Sequence, residues 1–205
     1  MQRTNTFKLA VLAALAAAVA FFITPRTAFG QDNLYALSYY SNAHVALAPD
    51  ATLRLVNDGN VADTTPAGDL CASIYVFEFR LFPLLPELIE CCSCPIAANG
   101  LLTLSVNTNL TSNPFTAVTP TRGVVKVVSS TLHNGICDPT FSSPAIGIRG
   151  WLTHIQRNST FFVTETPLTD STFGTSEAAD LVEDCLVGME LGSGKGTCSC
   201  TDAGR

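Results

Sequence analysis

Along most of the chain, apolar and polar residues alternate with the two-residue period of β-strands. The alternation is cleanest in Leu101–Asn107, where Leu102, Leu104 and Val106 fall on one side and Thr103, Ser105 and Asn107 on the other. That pattern predicts a half-buried strand. Thr52–Val56 reads as a strand closed by the turn residues Asn57-Asp58-Gly59-Asn60. In Cys71–Arg80 (CASIYVFEFR) both faces are apolar over the first half, which predicts a central strand covered on both sides. Its second half is amphipathic and runs towards an end. Val124–Ser130 is rich in β-branched residues. Arg149–Gln156 and Thr160–Thr166 read as a hairpin joined through Arg157-Asn158-Ser159. A short first strand is expected around Ala43–Leu47, with His44 its only ionisable group.

The helical period occurs once, over Ser176–Met189. Leu181, Val182, Cys185, Leu186 and Met189 form its apolar stripe, Thr175 or Ser176 offers a cap, and Glu177, Asp180 and Glu183 load the N-terminal half. Between these elements lie loops at 61–69, 108–122 and 131–147. Leu81–Glu90 (LFPLLPELIE) combines six large apolar residues with Pro83 and Pro86, which argue against a central strand and interrupt a helix. It is expected as an apolar loop or a short helical turn from Pro86. Six or seven strands and one late helix imply a mainly β protein, an antiparallel β-sandwich of immunoglobulin-like or jelly-roll-like kind, stapled by disulfides. The phrase Leu53-Arg-Leu-Val-Asn-Asp-Gly59 resembles an inner strand of secreted immunoglobulin-like sandwiches.

The first thirty residues change the picture of where the protein resides. Arg3 and Lys8 precede an uncharged apolar run from Leu9 to Ile23, Pro25 and Arg26 end it, and Ala28-Phe29-Gly30 offers small residues for cleavage. A spanning helix needs roughly 20 apolar residues. The segment is therefore expected to be a signal peptide, leaving residues 31–205 as one secreted or cell-envelope domain with no membrane span. No cysteine comes just after the run, which argues against a lipoprotein. Three of the 11 basic residues lie in this segment, leaving eight against 17 acidic ones and a net charge of −9. An acidic domain without a basic cluster is a poor match for nucleic acid.

All eight cysteines, Cys71, Cys91, Cys92, Cys94, Cys137, Cys185, Cys198 and Cys200, follow the signal. In an exported chain they read as disulfides. Adjacent cysteines rarely bond each other, so Cys91 and Cys92 should reach different partners. The cluster at 91–94 should face the one at 198–200 and pin the glycine-rich tail. The block Glu90–Asn107, with the late Gly196-Thr-Cys-Ser-Cys200, resembles cysteine-rich exported bacterial proteins of no assigned activity. The resemblance implies export and a shared scaffold, and it brings no activity.

The remaining candidates for chemistry are few. The C-C-x-C and C-x-C spacings fit a metal site poorly, and no metal or cofactor is expected. His44, His133 and His154 are scattered. A hydrolase using His154 with Glu165 or Asp170 is one alternative, and a thiol or metal module at the two cysteine clusters is another. Gly192–Thr197 departs from the phosphate-loop pattern in spacing and context. Asp58, Asn60, Asp63 and Asp69 do not follow the EF-hand pattern. The apolar stretch containing Leu81, Phe82, Leu84, Leu85, Leu88 and Ile89 is either a flap over the core or a contact surface for an unknown protein or envelope partner. Without a nucleophile-base pair or metal motif, the reading that remains is a non-catalytic structural, adhesive or envelope-associated binding protein.

Overall fold

The computed structural model describes residues 35–59, 68–79, 86–116, 118–141, 143–171 and 174–201. The signal-like segment and Leu81–Leu85 lie outside the described residues. Nine strands and one helix follow in order: β1 (Tyr35–Ser41), β2 (Thr52–Asn57), β3 (Leu70–Phe79), β4 (Pro86–Ile96), β5 (Leu101–Ser105), β6 (Arg122–Ser130), β7 (Ile148–Arg157), β8 (Phe161–Pro167), β9 (Thr169–Ser171) and α1 (Thr175–Leu191). A π-helical turn at Val106–Leu110 follows β5. The strands form two antiparallel sheets, one ordered β4-β3-β6-β1-β9 and the other β5-β2-β7-β8. The predicted two-sheet sandwich with a late helix is what the chain builds.

The main core lies between the sheets. Leu53 and Leu55 from β2, Ile74 and Val76 from β3, Leu102 and Leu104 from β5, Val125 and Val127 from β6, and Leu152 from β7 are all buried there. Each such side chain contributes roughly 1.5–3 kcal/mol by leaving water. A second apolar cluster lies on the outer face of the five-stranded sheet. Tyr35, Tyr75 and Val128 meet Leu181 and Cys185 of α1 there, and the Tyr75 hydroxyl donates to the Pro139 carbonyl at 2.9 Å. These two clusters explain why β3 is apolar on both faces: one side meets the opposite sheet, the other α1 and the 131–147 loop.

Four local expectations are corrected. The first strand is Tyr35–Ser41, while His44 and Leu47 have positive φ and belong to turns. Pro86 opens β4 in place of a helical turn, which a proline can do at the first position of an edge strand. The cysteine cluster consequently lies within a strand. Gly174, not Thr175 or Ser176, is the helix N-cap, and it makes no side-chain cap bond. Only Leu181 and Cys185 of the apolar stripe are fully buried, with Leu186 and Met189 exposed.

The chain changes sheets directly after β8. Leu168 donates its N–H to the Gly150 carbonyl at 2.8 Å and packs its side chain over that glycine, where a Cβ would stand 2.5 Å from Leu168 Cδ1. Glycine is required there for close approach. β9 then adds to β1 at the far edge of the five-stranded sheet.

Candidate functional site

All eight cysteines are in disulfides: Cys71–Cys137, Cys91–Cys185, Cys92–Cys198 and Cys94–Cys200. Alternation along β4 explains the division of labour. Cys91 points to the outer face and ties the strand to α1, while Cys92 and Cys94 point inward and hold the C-terminal tail. The expected link between residues 91–94 and 198–200 is thus made twice. Cys92 Sγ and Cys94 Sγ lie 3.8 Å apart, and with Cys200 they form the one group of three metal-type ligands with neighbouring donor atoms among the described residues. Each of these sulfurs is engaged in a bridge, so none is a thiolate that could hold an ion.

The tail is held by the backbone as well. Cys91 N–H donates to the Gly196 carbonyl at 2.9 Å and Cys198 N–H to the Cys91 carbonyl at 3.2 Å, so residues 196–198 lie alongside β4 as one parallel bridge. Asn113 connects the two sides. Its N–H donates to Glu90 Oε1 at 2.7 Å, its carbonyl accepts from Gly196 N–H, and its side-chain amide donates to the Gly194 and Thr197 carbonyls. The glycine-rich run recalling a phosphate loop in composition is therefore the connector from α1 to this clamp. Glu90 is 1% exposed, and its second oxygen, Oε2, has no hydrogen-bond partner. Burial pushes its carboxyl up to about 7, and the Asn113 N–H offsets this only in part.

The three histidines occupy separate neighbourhoods. His44 Nε2 meets Thr111 Oγ1 at 2.8 Å, and His133 stacks on Phe141 with ring centroids 3.8 Å apart. His154 stacks on Tyr39 at 4.2 Å and its Nε2 lies 2.6 Å from Thr166 Oγ1. It is 2% exposed, and burial holds its pKa below the ordinary imidazole value against the opposing Tyr39 backbone. Neither carboxylate considered with it is in contact. Glu165 pairs with Thr153, the residue next to His154, and so projects from the opposite face of the sheet. Asp170 lies on β9 of the other sheet. His154 is thus a buried side chain, stacked on Tyr39 and bonded to Thr166 through Nε2, with Nδ1 unpartnered. Among the acidic loop residues, Asp69 Oδ1 caps the Ala98 N–H and Asp58 lies 4.0 Å from Arg149, while Asn60 and Asp63 lie outside the described residues. No helix among the described residues is long and apolar enough to cross a membrane.

Of the apolar stretch named as a contact surface, Ile89 is 1% exposed and belongs to the main core. Leu88 is half-buried against the second cluster. Leu81, Phe82, Leu84 and Leu85 lie outside the described residues. Exposed apolar side chains are found on α1, at Leu186, Val187, Met189 and Leu191, in several turns, and on β8. Every residue of this strand after Phe161 is exposed, including Phe162 at 44% and Val163 at 53%. β8 is the last strand of its sheet, bonded to β7 on one side only. Its one charged side chain, Glu165, is ion-paired with Arg54. Sequence reading missed this edge because TFFVTET has the composition of a covered strand, and only the strand order reveals that no described strand lies beside it. Searches for a matching family model, for a similar curated protein and for a similar solved structure each found nothing.

Proposed function

We propose that the protein is a secreted or envelope-exposed, non-catalytic β-sandwich that works by assembly, and that its contact is the open edge at β8, which takes the same strand from a second copy. The observation that carries this reading is the seven-residue strand left exposed at the end of the four-stranded sheet, with Phe162 and Val163 outward. Edge strands are ordinarily blunted by lysines, inward charges, bulges or a covering segment. β8 has no lysine, its register with β7 runs without a break, and its single carboxylate is neutralised by Arg54. Two such edges meeting antiparallel about a two-fold axis would bring together uncharged, β-branched and aromatic side chains without opposing like charges. Four disulfides support maturation in an oxidising compartment, as the N-terminal segment suggests.

Sedimentation equilibrium over a wide concentration range tests this. The disulfide-intact protein should form dimers, and the doubly substituted Phe162→Lys, Val163→Lys chain should remain monomeric with an unchanged far-ultraviolet spectrum. A wild-type chain that stays monomeric throughout overturns self-assembly. A dimer that survives both substitutions overturns β8 as its contact.

A further inference from the structure

A cleft of about 270 Å³ opens on the other sheet, between the start of β4 and α1. Leu88, Phe115, Val187 and Gly188 give it apolar walls, and Glu87, Glu90 and Asp184 are the carboxylates of its lining. None of the described residues that line it is basic. Glu90 is buried to 1% exposure with Oε2 unpartnered, an expensive arrangement for an acceptor that has lost water. The acidic side chains here do not converge as ligands of one ion, since the only such group among the described residues is made of cysteines. The volume lies just below the range of sites for drug-sized molecules. It suits a fragment with a short apolar body.

From these features we propose that the cleft is a binding site for an organic cation, an ammonium group carried on a small apolar body. The walls take the body, and the cation supplies the charge compensation that the lining residues lack at Glu90 and Asp184. Two further facts agree with this. Burial raises the Glu90 carboxyl, and burial together with Asp180 and Glu183 raises that of Asp184. Both carboxylates are therefore short of positive charge. The same chemistry is offered by a free arylalkylamine and by the lysine side chain of another protein.

Isothermal titration of the intact, oxidised protein with benzylammonium at neutral pH tests the site, with benzyl alcohol and phenylacetate as neutral and anionic controls of the same shape. Benzylammonium should bind saturably, at least about tenfold more tightly than either control, a difference of about 1.4 kcal/mol. Glu90→Gln, which keeps the side-chain volume, and Asp184→Asn, on the helix surface, should each weaken binding about fivefold or more. N-acetyl-lysine methylamide separates the two sources: tighter binding than benzylammonium identifies a protein side chain, and weaker binding a free amine. Equal affinity for benzyl alcohol, the absence of saturable binding, or affinity unchanged in both variants overturns the proposal.

Discussion

Of the four edge strands, β4 and β9 in one sheet and β5 and β8 in the other, β4 and β8 are finished in opposite ways. At β4 the edge is occupied. Residues 196–198 lie along it, Asn113 clamps them from beyond, and Cys92–Cys198 and Cys94–Cys200 fasten them. At β8 no segment among the described residues is laid down, and the strand keeps Phe162 and Val163 in solvent. A protein with eight cysteines that brings three of its four bridges to β4, and none to β8, has concentrated its covalent reinforcement at one edge. The difference teaches that an edge is not intrinsically exposed or protected. What decides is whether the chain has a segment left over to cover it.

The largest effect should come from uncovering β4. Replacing Cys92, Cys94, Cys198 and Cys200 together with alanine frees the tail while Cys91–Cys185 remains. In the chain-entropy picture the lost constraint is that of a loop of about 15 residues beyond Cys185, so about 3 kcal/mol of stability should disappear in denaturant titration. Removing either bridge alone should cost much less than half of this, because its neighbour two residues away already closes the loop. Single losses that add up to the combined loss would show that the two bridges act independently.

Next comes Glu90, the buried acid beneath the clamp. Its folded pKa of about 7 stands above its ordinary 4.5. The fold thus prefers the protonated acid, and this preference is lost as pH rises from about 4.5 through 7. Ionised Glu90 then costs up to about 3 kcal/mol. Glu90→Gln should accordingly raise stability at pH 8 and change it little at pH 4. A stability gain independent of pH would assign the effect to packing and not to charge.

Asn113→Ala deletes the two side-chain bonds to the tail and should cost about 1–2 kcal/mol, with faster amide exchange at residues 196–198. Smallest of all, Phe162→Lys with Val163→Lys on the open edge should alter monomer stability by less than about 0.5 kcal/mol, measured below any association threshold. A large loss there would mean that β8 is a supporting element of the core, and the contrast between the edges would vanish.

Much of this architecture was legible in the chain. β2, β3, β5, β6 and the β7–β8 hairpin announce themselves through alternation or β-branched runs, and the two-faced apolarity of Cys71–Val76 foretold its central place. Other elements were hidden for definable reasons. β1 is a run of tyrosines, serines, alanine and leucine, whose burial alternates imperfectly. β4 was masked by Pro86 and Pro95, which an edge strand tolerates and a central one does not. The three residues of β9 are too few to show a period. The helix stripe read wider than it is, because Leu181 and Cys185 are its only fully buried members. The candidate sites depended on pairing between distant segments, which no local pattern encodes: the vacancy beside β8, and the meeting of β4 with Phe115 and α1.

The placement of the bridges also orders events in time. Three of the four join Cys91, Cys92 or Cys94 to Cys185, Cys198 or Cys200, across 94 to 106 residues. A chain is made from its N-terminus. Until residue 185 emerges, Cys71–Cys137 is the only native bridge available, and three neighbouring thiols wait without their mates. Any premature link among them must be undone by thiol–disulfide exchange before the tail can dock. Completion of the fold thus hangs on residues 185–200, and a product cut short before Cys185 would carry every described strand of the sandwich yet be able to close a single native bridge.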